Sequence, residues 1–153
     1  MKKKILIIGS EGLIGSNICS HLDKKYALFK IDKNLKNNSK CVGIDISKAT
    51  NVKKIFESFL KKKIYFSAII NTVYPKRLGF KKNFIDFDPK TFERDVFTHL
   101  TPFYNILIYS YKYYKKLRKP GQIITLSSIY GLKIPNFKIY KNTNIKSPIA
   151  YSV

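Results

Sequence analysis

The stretch KKKILIIGSEGLIGSNICSHL, Lys2 to Leu22, changes its hydrophobic period partway along. Ile5, Leu6, Ile7 and Ile8 form an apolar run too short for an interior helix and stopped by Gly9. Such a run suits a central parallel strand covered on both faces. Beyond the turn, Leu13, Ile14, Ile18, Cys19 and Leu22 recur at helical spacing. The reading is therefore strand, tight turn, amphipathic helix.

Gly9, Gly12 and Gly15 punctuate the turn as G-x-x-G-x-x-G. A first glycine permits a sharp turn, a second lets backbone approach a pyrophosphate, and a third lets helix pack closely on strand. The unpaired N–H groups and positive dipole end of the new helix then suit phosphate. Gly9, Ser10, Glu11, Gly12, Leu13, Ile14 and Gly15 are thus the candidate residues for binding a dinucleotide. A glycine trio alone would fit any tight turn; its place between strand and helix is the context that favours the ligand.

The rest of the chain alternates strands and helices. A second strand over Tyr26 to Ile31 ends at Asp32, at roughly the 20-residue distance past the glycines where an acidic residue meets the adenosine ribose. A carboxylate there repels a 2′-phosphate, favouring NAD over NADP, with Lys33 and Lys36 softening the preference. A third strand is expected over Cys41 to Ile46, with Ser47 capping the next helix, whose apolar face is Val52, Ile55, Phe56, Phe59 and Leu60. Ser67 to Asn71 read as a fourth strand, followed by an aromatic, lysine-rich loop to Phe87 of the kind that covers a ligand. Asp88 and Pro89 open a long helix with an expected apolar stripe of Phe92, Val96, Leu100, Tyr104, Leu107, Ile108 and Tyr111, and a kink at Pro102. Gln122 to Ser127 give a fifth, buried strand.

The 153 residues carry 30 Lys plus Arg against 9 Asp plus Glu, a formal charge of +21. That excess would suit a polyanion. It is almost all lysine, however, and scattered along the chain, which reads as a solvated surface and speaks against a specific nucleic-acid site; non-specific attraction of phosphate backbones at low salt stays as the lesser alternative. Cys19 and Cys41 have no metal or redox spacing and read as two buried thiols in a reducing compartment. Lys2, Lys3 and Lys4 before apolar residues imitate a signal peptide, but the run is too short for one, and no stretch is long enough to span a membrane. The expectation is a single cytoplasmic domain.

Taken together, these segments resemble the short-chain dehydrogenase/reductase family along the whole chain. The resemblance implies a doubly wound α/β parallel sheet, the Rossmann fold, of about five strands. GSEGLIG is similar to the family's cofactor fingerprint as spaced in its extended and sugar-modifying members. Asp45 and Ile46 stand where members contact the adenine, and Asn71, Thr72 and Val73 where they have an Asn-Asn-Ala-Gly segment, of which Asn71 is retained. QIITLSSIYG resembles the strand bearing the catalytic serine, here Ser128, and AYSV the start of Tyr-x-x-x-Lys, with Tyr151 as the tyrosine.

What the resemblance implies is hydride transfer between a nicotinamide and a carbonyl or hydroxyl substrate. The tyrosine exchanges a proton with the substrate oxygen, helped by a lysine cation because free tyrosine has a pKa near ~10. The serine hydroxyl steadies the charge on that oxygen. His99 stands in the place of a helper asparagine, where it would hold a proton-relay water. His99-Leu100 and the long insertion before Tyr151 are similar to members acting on surface-sugar and nonulosonic-acid precursors, and members form homo-oligomers. The lysine would fall at position 155, past Val153, so a C-terminally truncated form is expected, inactive alone. The alternative is a non-catalytic dinucleotide-binding module or gene remnant. No metal is implied.

Overall fold

The computed structural model describes residues 2–74, 88–134 and 136–143. The chain gathers into two compact units, Met1–Tyr74 with Thr101–Leu126, and Pro75–Leu100 with Ser127–Val153.

The first unit contains a five-stranded parallel sheet: β1 (Lys4–Ile8), β2 (Ala27–Asp32), β3 (Cys41–Gly43), β4 (Ala68–Asn71) and β5 (Gln122–Thr125), in the order β3-β2-β1-β4-β5. Helix α1 (Leu13–Leu22) links β1 to β2 and α2 (Ala49–Lys61) links β3 to β4. Helix α3 (Pro89–Leu117) precedes β5 and is continuous through Pro102. This is the doubly wound α/β fold. The strand order reverses direction at β1, so the turn after β1 stands at the switch point of the sheet, where such folds bind ligands.

The side chains explain why β1 is central. Leu6, Ile7 and Ile8 are almost wholly buried because both faces are used. Leu6 and Ile8 join Phe29, Ile31, Ile69 and the α2 side chains Val52, Ile55, Phe56 and Phe59 on one face, with Ile106, Tyr113 and Tyr114 of α3. Ile5 and Ile7 join Leu28, Ala68, Ile70 and Cys19 of α1 on the other. Aromatic edge-to-face contacts knit the first face, with Phe59 and Phe66 centroids 4.9 Å apart. Tyr113 turns its hydroxyl to the Ile64 carbonyl at 2.6 Å and accepts from the Phe66 N–H at 3.2 Å, so a large ring is buried with its polar tip satisfied.

Several expectations are corrected here. β3 ends at Gly43, not Ile46, because Asp45 starts a turn by accepting from the Ser47 N–H at 2.9 Å. Ser47 is consequently not the cap of α2: Lys48 occupies that position, and the Ser47 hydroxyl donates to Asp45 Oδ2 at 2.9 Å. β5 is an edge strand with alternating exposure, not a buried one, and Ile124 and Leu126 remain 43% and 42% exposed. Cys19 is buried but Cys41 only half-buried. On α3, Leu100, Tyr104, Leu107 and Tyr111 are exposed, while Pro102, Asn105, Ile106, Ser110, Tyr113 and Tyr114 are buried. The small Ser110 and the tyrosine hydrogen bonds bring that second face inward, in place of the expected stripe.

In the second unit Asp88 caps α3 as read: its Oδ1 accepts from the Thr91 N–H at 2.8 Å and its Oδ2 from the Thr91 hydroxyl at 2.7 Å, with Pro89 in the first turn. Short 3-10 turns follow at Ile129–Gly131 and Phe137–Tyr140. Most of the lysine-rich loop before Asp88 lies outside the described residues. Among the described residues no helix is long and apolar enough to cross a membrane.

Candidate functional site

The glycine turn sits at the C-terminal end of β1. Ile8 is flanked in register by Ile31 of β2 and Asn71 of β4, so the ends of three strands meet there. Gly9 has φ +86°, a conformation L side chains rarely adopt, and its N–H donates to the Ile31 carbonyl at 2.8 Å. A Cβ on Gly15 would lie 2.0 Å from the Gly9 carbonyl oxygen, so helix and turn approach as closely as glycine allows. Gly12 differs: the nearest atom to its would-be Cβ is the Gly9 oxygen at 3.3 Å, and the residue is exposed. Gly9 and Gly15 thus take the turn and tight-packing roles assigned from spacing, and Gly12 leaves open space on its exposed side.

Gly12 caps α1 without a side-chain hydrogen bond, and the N–H groups of Leu13 and Ile14 find no acceptor among the described residues. Orphan donors at a helix N-terminus are what an anionic group satisfies. Leu13 and Ile14 are themselves exposed. These features fit the pyrophosphate of a dinucleotide. Ser10 points elsewhere: it is 1% exposed, and its hydroxyl is buried without a hydrogen-bond partner.

Asp32, at the end of β2, reaches the turn. Its Oδ2 accepts from the Glu11 N–H at 3.1 Å and its Oδ1 from the Asn34 N–H at 3.0 Å. Each carboxylate oxygen keeps a second lone pair for a hydroxyl. Thr72 locks the turn from the β4 side, its hydroxyl lying 3.0 Å from both the Ile8 and Gly9 carbonyls. Asn71 is buried, and its Oδ1 accepts from the Val73 N–H at 3.1 Å. Asp45 follows β3; the Ser47 N–H, foremost among its neighbours, holds its carboxyl below the usual range. Ile46 and Val73 are partly buried against the core.

The clamps formed by Asp32 on Glu11 and by Thr72 on Gly9 were not visible in the sequence, since both join residues far apart in the chain. Ser128 and His99 belong to the second unit. Ser128 caps the first 3-10 turn there, its Oγ accepting from the Tyr130 N–H at 3.1 Å, and His99 is half-buried on α3. Tyr151 lies outside the described residues. An open apolar groove of about 580 Å³ runs along α1 past Leu13, Ile14, Asn17 and Ile18 to Ile70, Ile124 and Leu126. It contains neither Asp32 nor Asn71, and reflects the sheet face that α1 leaves uncovered beside β5.

A glycine turn at the switch point, orphan amides and a carboxylate at the end of the next strand define a Rossmann-type α/β protein. No protein-family model matches the chain, and no curated protein matches it in sequence. Solved structures do. A short chain dehydrogenase from Leptospira borgpetersenii with bound NAD+ is 24% identical with TM-score 0.80, covering 99% of this chain and 59% of that one. A 4-hydroxyisoleucine dehydrogenase complexed with NADH is 20% identical with TM-score 0.74, covering 98% and 62%. A short chain dehydrogenase from Burkholderia cenocepacia in complex with NADP is 17% identical with TM-score 0.69, covering 99% and 59%. What these share with the chain is the fold, and the chain spans about three fifths of their length.

Proposed function

We infer that the protein is an NAD(P)-dependent oxidoreductase of the short-chain dehydrogenase type, and that the sheet described above is its dinucleotide-binding region. The observation that carries this reading is the glycine turn, clamped by Asp32 and Thr72, presenting unpaired amides at the switch point of a parallel sheet. The dinucleotide-bound neighbours of the same fold support it.

In this reading the Leu13 and Ile14 amides and Gly12 hold the pyrophosphate, Asp32 takes the ribose hydroxyls, and Asp45 with Ile46 borders the adenine. Asn71, Thr72 and Val73 border the remainder. Asp32 favours NAD, because a carboxylate repels the extra phosphate of NADP. The bound nicotinamide supplies hydride transfer to or from a carbonyl or hydroxyl carbon. Tyr151 exchanges a proton with the substrate oxygen, Ser128 donates a hydrogen bond to it, and His99 holds a relay water. A sugar or sugar-nucleotide precursor is the proposed substrate, a homo-oligomer the proposed assembly and the cytoplasm the proposed location.

A thermal-shift titration tests the cofactor. A ligand held by the folded state alone stabilises by RT ln(1 + [L]/Kd), about 2.7 kcal/mol at 100 times Kd. NADH should raise the melting temperature of the chain more than NADPH does. Absence of a shift with either dinucleotide would overturn the reading.

A further inference from the structure

Lysines that are scattered in sequence converge in space. In a parallel sheet each helix runs back against its strands, so helix C-termini and strand starts share one edge. In the first unit that edge collects the basic runs at 2–3, 24–25, 61–63 and 115–119, all exposed except for Leu117.

Hydrogen bonds stitch these segments side by side. Lys2 Nζ donates to the Lys24 carbonyl at 2.7 Å, the Ala27 N–H to Lys3 at 2.9 Å, and the Ser67 N–H to Lys4 at 2.9 Å. The Gln122 N–H reaches Ser67 at 3.1 Å, and Lys119 Nζ lies 5.2 Å from the centre of the Tyr65 ring. These segments hold no carboxylate, Asp23 being the one that adjoins the run at 24–25, and none of their cations is in an ion pair among the described residues, where Lys53–Glu57 is the pair formed. The opposite edge of the same sheet is balanced: Glu11, Asp32 and Asp45 follow the strands there beside lysines 33, 36 and 48.

A lysine or two at each helix end would complement the dipole. The excess repels itself in one place and stands to gain from a polyanion. From β2 to β5 the edge spans three strand spacings, about 14 Å. Over that length a nucleic-acid duplex carries about eight charges. A membrane surface fits less well, because peripheral helices and patches anchor with apolar side chains. None of the large exposed apolar residues lies in these segments.

We propose that the strand-start edge of the sheet is an electrostatic docking surface for nucleic acid, engaged through phosphates without sequence preference. Fluorescence anisotropy of the 153-residue chain with labelled duplexes of two unrelated sequences tests this. Between about 50 and 200 mM salt, the log–log slope of affinity should be about −4.5, as for roughly five phosphate contacts, and the same for both duplexes. Replacing lysines 61, 62 and 63 with glutamine should make the slope shallower by about 2.7 and weaken low-salt binding by about tenfold or more. The matched replacement of lysines 33, 36 and 48 should weaken it less than about twofold, and the Lys115→Gln, Lys116→Gln, Lys119→Gln variant provides a second edge variant. Circular dichroism checks that each variant is folded. Equal losses at the two edges, a slope shallower than about −2, a strong preference for one sequence, or edge-dependent binding to phosphatidylserine vesicles in place of duplex would each overturn the proposal.

Discussion

The carboxylate of Asp32 accepts the backbone N–H of Glu11 at 3.1 Å, tying the end of β2 to the middle of the glycine turn. One side chain therefore braces the turn, and in the proposed function it also takes the ribose hydroxyls. Asp32→Ala strips a charged acceptor from the Glu11 and Asn34 amides, and should lower stability by about 1.5 kcal/mol in urea denaturation. Asp32→Asn keeps one acceptor oxygen and should lose less. In both variants the advantage of NADH over NADPH in thermal shift should shrink, and an unchanged margin would remove Asp32 from cofactor choice.

Gly12 and Gly15 should separate binding from folding. An alanine Cβ at position 15 would collide with the Gly9 carbonyl, so Gly15→Ala should destabilise by about 3 kcal/mol. Gly12 has φ −74°, open to any residue, and its would-be Cβ meets only the Gly9 oxygen at 3.3 Å. Gly12→Ala should stay within about 1 kcal/mol of the parent while the dinucleotide-induced thermal shift falls. Retention of the full shift would mean that ligand does not approach at Gly12.

Two buried hydroxyls work against stability. Ser10 Oγ and Ser110 Oγ are both buried without hydrogen-bond partners. Ser110→Ala removes a desolvated donor and improves helix propensity, and should raise stability by about 1 kcal/mol. Ser10→Ala should move the urea midpoint the same way and leave NADH binding intact, because that hydroxyl faces inward. A drop in midpoint for either variant would show that the hydroxyl has a partner.

Alkaline pH should weaken the fold through tyrosine. Burial pushes Tyr113 up to about 12, and Tyr114 is also raised, again by burial. The folded state keeps protons that an unfolded chain loses near ~10, so this stability is complete below that pH and declines as pH rises toward 12. The decline is about 1.4 kcal/mol per pH unit for one such group. Tyr113→Phe should flatten that dependence, while itself destabilising by about 1–3 kcal/mol because the Phe66 N–H loses its acceptor. Urea curves collected across this pH range provide the measurement.

The order of strands and helices was readable from spacing, and so were the sharp turn at Gly9 and the close packing at Gly15. Both depend on neighbouring residues, where backbone sterics and side-chain period act. Misreadings arose where distant parts of the chain decide. Leu100, Tyr104, Leu107 and Tyr111 make a convincing apolar stripe, but the sheet takes the face carrying Ile106, Ser110 and Tyr113. The hydrogen bonds of Tyr113 to segment 64–66 favour that face, and no helical period encodes them. Ser47 has the chemistry of a helix cap yet answers to Asp45, which turns the chain first.

The amino-acid sequence by itself determined the strand–turn–helix that opens the chain and the alternation of elements after it, because glycine freedom and hydrophobic period are local properties. Only the tertiary structure decided that Asp32 meets Glu11, 21 positions away, that Thr72 bolts the turn to β4, and that dispersed lysines share one edge. Those pairings follow from strand order, which is set by burial summed over the whole sheet and is recorded in no single stretch of residues.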